Sequence, residues 1–456
     1  MAMTRNLPVV LGAFLALSTP ALGETFESEA VVAVASNPGL AAERSRLLAV
    51  RQAMPIAWSE LLPQVSVDAS VIAEDRSQDR IADFTARGQP EYWIASVRAS
   101  TLLFGSGRVL ASTRQARAQI ASAVALYQDA VQNLAVEFTQ AYGGARFAIE
   151  SLAAQEESLS NLEEQARFAR ANLREGFLTR TDVAQAEARV ALARADLARA
   201  QARVVEANEL YARVAGHPPG ELEEPGPLGG LPATLEAAQA IAEEEHPALV
   251  AAAANVVAAN AAIDLAASSG RMRLFIESTN TTYDVSNMNF ESGTVGDFNQ
   301  EYESAVSLRA QIPLFSGGAI RARERQQRHL RNAARFELTD IERRLQENVA
   351  VNWSNLDAAR ARLTASRARL EAADLASRGV RREQQFGQRS MIDVLNQEQE
   401  RLSSRVAVAE AERDVMIAER TLAASVGMIT PLLGLDQAPV SSRDVRRSAP
   451  MDNDEW

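Results

Sequence analysis

The chain has 456 residues and a formal net charge of −12, and 47% of its residues are hydrophobic although only 5% are aromatic. It has no cysteine, which excludes disulfides, thiolate metal sites and a lipid-modified N-terminal cysteine. Much of the apolar content is alanine, a residue that favours long helices and supplies little core volume.

Residues 1–23 predict a secretory signal peptide. Arg5 supplies a positive n-region, residues 7–17 supply an apolar stretch, and Ala21-Leu22-Gly23 forms a small-x-small cleavage site. No later segment reads as about 18–20 uninterrupted apolar residues, so we expect an exported protein without a membrane-spanning helix. Such a chain can cross a membrane only as a β-barrel, the other structure that satisfies its own backbone hydrogen bonds.

Two pairs of strands are predicted from alternating polarity, and each pair encloses a polar loop. In the second strand of each pair, Val97 and Val306 mark the apolar side, whereas Arg98 and Arg309 lie on the polar side. Each strand has roughly 10–13 residues, close to the 9–11 that a tilted strand needs to cross a bilayer. An ordinary sheet packed on one face would show the same alternation, so this pattern leaves both structures open. The predicted strands are 63–74, 92–104, 273–284 and 302–315, and the loops are 74–91 and 284–301.

Most of the remaining sequence is predicted to be helical. Residues 105–216 and 316–427 each form a long helical hairpin, whose first helix would be roughly 100 Å long. The alanines suit close packing along a coiled-coil-like seam, although a four-helix bundle or a coiled-coil stalk would have the same composition. We expect a Pro- and Gly-rich linker at 217–235 and a disordered tail at 431–456.

The sequence contains an internal duplication. A shift of 211 residues places Leu103-Phe104 on Leu314-Phe315, and one constant shift holds from about 63 to 216. The copies are too long for solenoid repeats, which have periods of roughly 20–50 residues. We therefore expect two repeats, each with a helix, two strands and a hairpin. They are 24–216 and 236–430.

Residues suited to catalysis are scarce. The three histidines are His217, His246 and His329, and no motif of a metalloprotease, hydrolase, P-loop or dinucleotide-binding enzyme is present. No convergent set of titratable residues indicates a catalytic centre, a metal site or a cofactor site. We therefore expect a protein that is not an enzyme, and nothing points to nucleic acid as a partner.

The two helix–helix turns are the most informative positions. Gly176 and Gly387 end the first helix of each hairpin, where a left-handed glycine has no Cβ clash. Asp182 and Asp393 begin the next helix, where a carboxylate can accept hydrogen bonds from free backbone N–H groups. A capping role alone would explain both aspartates, but a capping aspartate can also pair with a neighbouring helix.

These features together resemble the TolC family, the outer-membrane channels of type I secretion and tripartite efflux systems. The resemblance rests on Asn37-Pro38, Leu62-Pro63, the PLFSGG stretch at 313–318 and the paired Gly…Asp-Val turns, and it covers about 27–430. It implies a mixed α and β fold in which three protomers each give four strands to one twelve-stranded outer-membrane β-barrel. The helices would continue as a long periplasmic α-helical barrel.

The family resemblance also implies orientation and partners. The polar strand face would line the lumen, which would then contain Arg98 and Arg309, and the loops at 74–91 and 284–301 would face outside. The chain would work as a homotrimer in the outer membrane of a Gram-negative cell, surrounded by lipid and extending into the periplasm. A periplasmic adaptor and an inner-membrane ABC or RND transporter would be its protein partners, and no cofactor is implied.

A gate at the turns, which would form the periplasmic tip, is a further implication of the resemblance. Asp182 and Arg389 would form a closing link, and Asp393 would form a ring of inward-facing carboxylates. Gln384 and Asn396 stand where relatives carry a tyrosine and a second aspartate, which reduces the bonds and the negative charge at the gate. The turn residues expected to contact an adaptor are Gly176, Phe177, Leu178, Thr179, Gly387, Gln388 and Ser390.

Two other classes of protein fit parts of the sequence. A secreted coiled-coil structural protein would account for the helices alone. A periplasmic adaptor has a similar helical hairpin, but it has one hairpin rather than two and lacks the paired strands. The duplication therefore favours a passive, gated channel over both alternatives.

Overall fold

A computed structural model describes residues 25–73, 91–286 and 300–435. The signal peptide, nearly all of the two predicted polar loops, and residues 436–456 lie outside these ranges. Within them, the chain passes twice through the same order of elements, from short helices to two strands and then to a hairpin of two long helices.

The boundaries of the elements follow the internal duplication. The first copy contains α1 (Phe26–Ser36), α2 (Pro38–Arg51), α3 (Ala53–Ser59), β1 (Gln64–Ala73), β2 (Glu91–Phe104), α4 (Arg108–Arg174) and α5 (Arg180–Ala215). The second contains α6 (Leu235–Glu245), α7 (Pro247–Ser268), β3 (Arg273–Ser286), β4 (Gln300–Gln311), α8 (Ala319–Gln385) and α9 (Met391–Val426), and α10 (Ile429–Leu432) follows. Strand β4 ends at Gln311, short of the predicted end at 315, and Pro313 has no N–H to continue the ladder.

The strands form one antiparallel sheet in the order β1-β2-β3-β4. Val67 lies opposite Val97 and Ser66 lies opposite Arg98, so the predicted alternation separates an apolar face from a polar face. A β-bulge interrupts β2 near Leu102. Within the described ranges, β1 and β4 each pair on one side only, which leaves both edges of the sheet open.

The apolar face of the sheet is exposed in the single chain. Val67, Val71 and Val306 are 70%, 78% and 71% exposed. Contiguous apolar patches of this kind are rare on soluble monomers and mark a surface that contacts protein or lipid. The structure therefore does not support an ordinary sheet packed against a core on this face.

The long helices of the two hairpins differ in how much of their surface is buried. The first hairpin helix of each copy, α4 or α8, spans 67 residues, and the second, α5 or α9, spans 36. A helix of 67 residues is roughly 100 Å long. Helix α4 buries a long stripe of mostly small side chains against its neighbours, whereas α8 leaves most of its length exposed. The buried residues of α8 are Leu345, Val349, Leu356, Ala373 and Ser377.

The main apolar core lies where the first hairpin meets the short helices. Phe26 of α1 packs edge-on against Tyr142 of α4, with ring centroids 5.1 Å apart. Leu433 and Leu435, 3% and 2% exposed, also belong to this core. The prediction of a disordered tail from 431 is therefore wrong for residues 431–435, because this segment is too short to show a periodic pattern.

One helical stretch, Leu235–Ser268, contains 18 consecutive residues with a mean hydropathy of 1.7 and is long and apolar enough to cross a membrane by length and composition alone. The expectation concerned an uninterrupted apolar run, and Asn255 and Asn260 interrupt this one, so the stretch does not contradict it. The stretch comprises two helices, which meet at His246, and α7 packs against both α4 and α8. Its hydropathy comes largely from alanine, which the close packing of these helices requires.

Candidate functional site

Turn A, residues 175–179, joins α4 to α5. Gly176 has a φ of 84°, the left-handed conformation that glycine adopts without a Cβ clash. The Phe177 N–H donates to the Asn172 carbonyl oxygen at 2.9 Å, while the Phe177 side chain is 78% exposed. Leu178 packs partly buried against an apolar cluster beneath the turn. Turn A therefore presents one aromatic side chain to solvent.

Turn B, residues 386–390, joins α8 to α9 with the same backbone path. Gly387 has a φ of 72°, and the N–H of the exposed residue Gln388 donates to the Glu383 carbonyl oxygen at 2.9 Å. Phe386 is 80% exposed. Both turns thus close with an equivalent backbone bond and expose a phenylalanine, which the sequence reasoning included only for turn A.

Asp182 and Asp393 cap the helices that follow the turns. The Asp182 Oδ2 accepts from the Thr179 N–H at 2.9 Å and from its hydroxyl at 2.7 Å, and the Thr179 hydroxyl accepts from the Asp182 N–H at 3.2 Å. Ser390 and Asp393 form the same capping box, with distances of 3.1, 2.6 and 3.3 Å. These hydrogen bonds lower the pKa of both carboxyl groups. The capping interpretation is confirmed.

Arg389 does not contact Asp182 within one chain. Its Nε donates to the Glu383 Oε2 at 2.8 Å, and this bond raises the pKa of the guanidinium group. By the shift of 211 residues, Leu178 and Asn172 are the counterparts of Arg389 and Glu383 in the first copy. The charged pair therefore exists in turn B alone, and the structure does not bring the predicted link together in a single protomer.

Asn396 and Gln384, the two positions that depart from the family pattern, make contacts inside the chain. The Asn396 Oδ1 accepts from the Arg189 Nη2 at 3.1 Å, which links α9 to α5. Gln384 is partly buried, and its amide nitrogen lies 3.9 Å from the Met391 sulfur. Both residues therefore stabilise the region beneath the turns.

An apolar cluster beneath the turns joins three helices. Met391 and Leu395, at the start of α9, are 1% and 0% exposed and pack with side chains from both helices of the first hairpin. Among the described residues, α8 contributes no buried side chain to this cluster. The start of α9 is therefore fixed to the first hairpin. The buried residues from α4 and α5 are Leu162, Ala166, Ala169, Val183, Ala186, Val190 and Ala193.

A buried carboxylate that the sequence reasoning missed lies next to this cluster. Glu398 of α9 is 1% exposed and accepts from the Asn161 Nδ2 at 3.0 Å, the Arg381 Nη2 at 2.6 Å and the Arg401 Nη2 at 3.0 Å. A charge at this depth requires such partners, because burial removes its hydration. Glu398 therefore connects α4, α8 and α9. The sequence offered one signal for this residue, because the shift of 211 residues places Glu187 on Glu398.

Arg98 and Arg309 lie on the polar face of the sheet. Arg98 lies opposite Ser66, and the Arg309 Nη2 is 3.0 Å from the Glu277 Oε2. The second arginine is therefore paired with a carboxylate of its own sheet. Across the described ranges, no group of three or more His, Cys, Asp or Glu side chains could hold a metal ion.

Comparison with known proteins assigns a family. The sequence profile of the outer membrane efflux protein family matches residues 31–217 and 240–428, well over half of the chain. The outer membrane efflux protein BepC of Brucella suis is 28% identical over 433 residues, covering 94% of this chain and 91% of BepC. The alkaline protease secretion protein AprF of Pseudomonas aeruginosa is 25% identical over 306 residues, covering 65% of this chain and 62% of AprF.

The fold is also that of solved channels. The Campylobacter jejuni CmeC outer membrane channel superposes with a TM-score of 0.75 at 13% identity, covering 93% of this chain and 89% of CmeC. The two segments that match the family profile correspond to the two predicted repeats. The protein therefore has a TolC-like fold and belongs in the outer membrane, with its helices in the periplasm. The chain is a member of the outer membrane efflux protein family.

Proposed function

We propose that the protein is a passive, gated exit duct through the periplasm and the outer membrane for a tripartite efflux pump or a type I secretion system. The observation that carries the proposal is the exposed apolar face of the sheet, where Val71 and Leu308 are 78% and 65% exposed. Outer-membrane strands present such a face to lipid and a polar face to the lumen. Helices of roughly 100 Å extend from the same sheet and supply the length of a periplasmic duct.

Aromatic side chains at the helical end of the sheet support a membrane boundary there. Trp58, Phe104 and Phe315 come from three separate segments and are 43%, 50% and 88% exposed. Aromatic residues are enriched where a bilayer meets water, because one part of the ring contacts lipid and another contacts headgroups. The periplasmic leaflet would therefore end near the junction of strands and helices.

Three copies of the chain would complete the duct. The open edges of β1 and β4 leave backbone groups that lipid cannot satisfy. A homotrimer with twelve strands pairs every edge. The exposed apolar residues of α8, such as Phe336 at 76% and Leu375 at 67%, would then pack against a neighbouring protomer.

The named relatives support two kinds of partner system. BepC is an outer membrane efflux protein, and AprF is an alkaline protease secretion protein. We therefore propose a periplasmic adaptor that contacts turns A and B, with Phe177 and Phe386 as apolar contacts. An inner-membrane ABC or RND transporter would supply the cargo.

The gate would form between protomers. The Asp182 Oδ2 accepts the capping bonds, and its Oδ1 accepts none from the described residues. Arg389 of a neighbouring protomer could therefore reach this second oxygen without breaking the cap, provided that it leaves Glu383. A ring of three Asp393 carboxylates would attract cations.

Membrane fractionation tests the channel proposal. We expect heat-modifiable, detergent-dependent trimers in the outer-membrane fraction, with a trypsin-protected core. A secreted coiled-coil protein or a soluble adaptor would give neither result.

Single-channel recordings in planar bilayers test the gate separately. Arg389→Ser should raise the conductance, whereas Glu383→Gln, which releases Arg389 from its own chain, should not. Asp393→Asn retains a capping side chain but removes the charge, so cation selectivity should fall. Unchanged conductance for Arg389→Ser would contradict the proposed link between Arg389 and Asp182. Unchanged cation selectivity for Asp393→Asn would contradict the proposed ring of Asp393 carboxylates.

A further inference from the structure

Each repeat contains a junction where the end of a hairpin helix meets a helix that begins with proline. After α5, Gly216 follows Ala215, whose carbonyl oxygen accepts from the Ser36 hydroxyl at 3.2 Å. After α9, Gly427 lies so close to the chain before α7 that an added Cβ would be 3.2 Å from the His246 Cα. The two glycines have φ values of 88° and 91°. The junctions are therefore equivalent in backbone geometry.

The residue that caps the second helix differs between the junctions. The Asn37 Oδ1 accepts from the Leu40 N–H at 3.1 Å. The His246 Nδ1 accepts from the Ala248 N–H at 3.2 Å. An asparagine amide does not titrate, whereas an imidazole nitrogen can accept a hydrogen bond only when it is unprotonated. The second cap therefore requires a neutral histidine.

The surroundings of His246 favour the neutral ring. The residue is 9% exposed, and burial lowers its pKa, while the charge of Asp129 acts in the opposite direction. A groove of about 460 Å³ next to the ring contains Asp129 from α4 and Arg344 from α8, whereas its lining residues from α9 are uncharged. Arg344 is paired with Asp340 at 2.7 Å, and the exposed residue Glu245 precedes the histidine.

We propose that His246 makes the second junction a proton-sensitive latch, in which the neutral ring caps α7 against the end of α9 and the protonated ring releases that cap. Protonation places an N–H opposite the Ala248 N–H and adds positive charge at a helix N-terminus, where the helix dipole is also positive. The protonated ring can instead turn into the groove toward Asp129. The first junction keeps its cap, because Asn37 does not change charge.

The direction of the pH effect follows from the lowered pKa. The ordinary pKa of histidine is 6.5, and in the folded chain the pKa of His246 lies below that value. As the pH falls, an opened junction therefore binds a proton before the closed junction does. The cap on α7 contributes its full stability to the closed junction above about pH 6.5, and this stability is lost as the pH falls through the lowered pKa of His246. Acidification of the periplasm would loosen the second repeat and not the first.

Proton exchange at the histidine Cε1, read by mass spectrometry, measures the pKa in the full-length wild-type protein in detergent. The chain has three histidines, His217, His246 and His329, and cleavage after glutamate places each in a separate peptide. We expect a pKa for His246 below its ordinary value of 6.5. A pKa at or above 6.5 would overturn the proposal.

The second test measures backbone amide hydrogen exchange in two variants that swap the capping residues of the two junctions, His246→Asn and Asn37→His. Below pH 6, after correction for the intrinsic exchange rate, the amides at 248–250 and 427–428 of the wild type should exchange about fivefold faster than at pH 7.5, the factor for loss of one typical N-cap. His246→Asn should abolish that dependence, and Asn37→His should create one at residues 39–41. A His246→Asn protein with the wild-type pH dependence would overturn the proposal. The junction lies within one chain, so the result does not depend on channel activity.

Discussion

Replacing Glu398 with glutamine should weaken the second hairpin far more than the same change at Glu187 weakens the first. The two glutamates are counterparts by the shift of 211 residues, and so are their partners Arg381 and Arg170. The Arg170–Glu187 pair is 2.8 Å long with side chains 59% and 48% exposed. The Arg381–Glu398 pair is 2.6 Å long, and the Glu398 side chain is 1% exposed. Both pairs join an arginine to a glutamate, but Glu398 is buried and also accepts from Asn161 and Arg401.

The magnitude follows from that difference. An exposed pair contributes about 1 kcal/mol or less. Removal of one partner from a buried pair costs about 3–5 kcal/mol, because the other charge remains without compensation. Arg381 is 32% exposed and Arg401 retains Glu157 at 2.9 Å, so we take the lower end of that range. A cost of about 3 kcal/mol corresponds to an about 150-fold change in an opening equilibrium.

Amide hydrogen exchange of the full-length protein in detergent micelles measures this cost locally. In Glu398→Gln, peptides near α9 should exchange about 150-fold faster, whereas Glu187→Gln should change its own region less than about fivefold. The matched variant controls for loss of one carboxylate charge. Equal changes in the two hairpins would refute the argument that the buried site of Glu398, with its additional partners, raises the cost.

Two further predictions concern packing around α4 and α9. Gly144→Ala should raise the melting temperature, because alanine favours a helix by about 1 kcal/mol over glycine and no described atom lies within 4 Å of the new Cβ. Gly143→Ala should show no such gain, because its Cβ would lie 2.5 Å from the Met416 Cε; equal gains at both sites would contradict the close helix contact. Arg420→Met should maintain or raise the melting temperature measured by circular dichroism, because Nε and Nη2 of this 1% exposed side chain have no hydrogen-bond partner among the described residues. A large decrease would instead assign most of the stability to the guanidinium, which lies 4.3 Å from the Phe26 ring centroid.

The long elements could be predicted because their signals are local and repeated. No proline occurs between 108 and 173, and Gly176 and Gly387 follow the two long helices, so α4 and α8 lie within the predicted hairpins. The short segment after Pro431 could not be predicted, because the burial of Leu433 and Leu435 depends on a core formed by distant helices.

The candidate site could likewise be predicted only where its contacts are local in the sequence. The capping boxes at Asp182 and Asp393 join residues three positions apart, so the local sequence was sufficient. The partner of Arg389 could not be predicted from the sequence, because Glu383 and Asp182 are both carboxylates near the helix–helix turns. The backbone path of turn B places Glu383, and not Asp182, against Arg389 within the chain. The burial of Glu398 likewise depends on how three helices pack.

The two repeats share a fold but hold their long helices by different interactions. Helix α4 buries 24 of its residues, most of them small, whereas α8 buries five over the same length. Leu345, Val349 and Leu356 of α8 share a small apolar cluster with Leu422 and Val426 of α9. A series of arginine–carboxylate pairs of 2.6–3.0 Å also joins the two helices. An arginine can exchange one carboxylate for another without leaving a cavity, whereas displacing a buried apolar stripe creates one. The first repeat therefore holds its long helix mainly by buried apolar contact, and the second repeat relies more on charged pairs. Helix α8 is the element whose contacts can be remade, and it also bears the exposed face that a second copy would cover. The charged pairs that join it are Arg360–Glu419, Arg362–Asp414, Arg367–Glu412, Arg369–Glu400 and Arg381–Glu398.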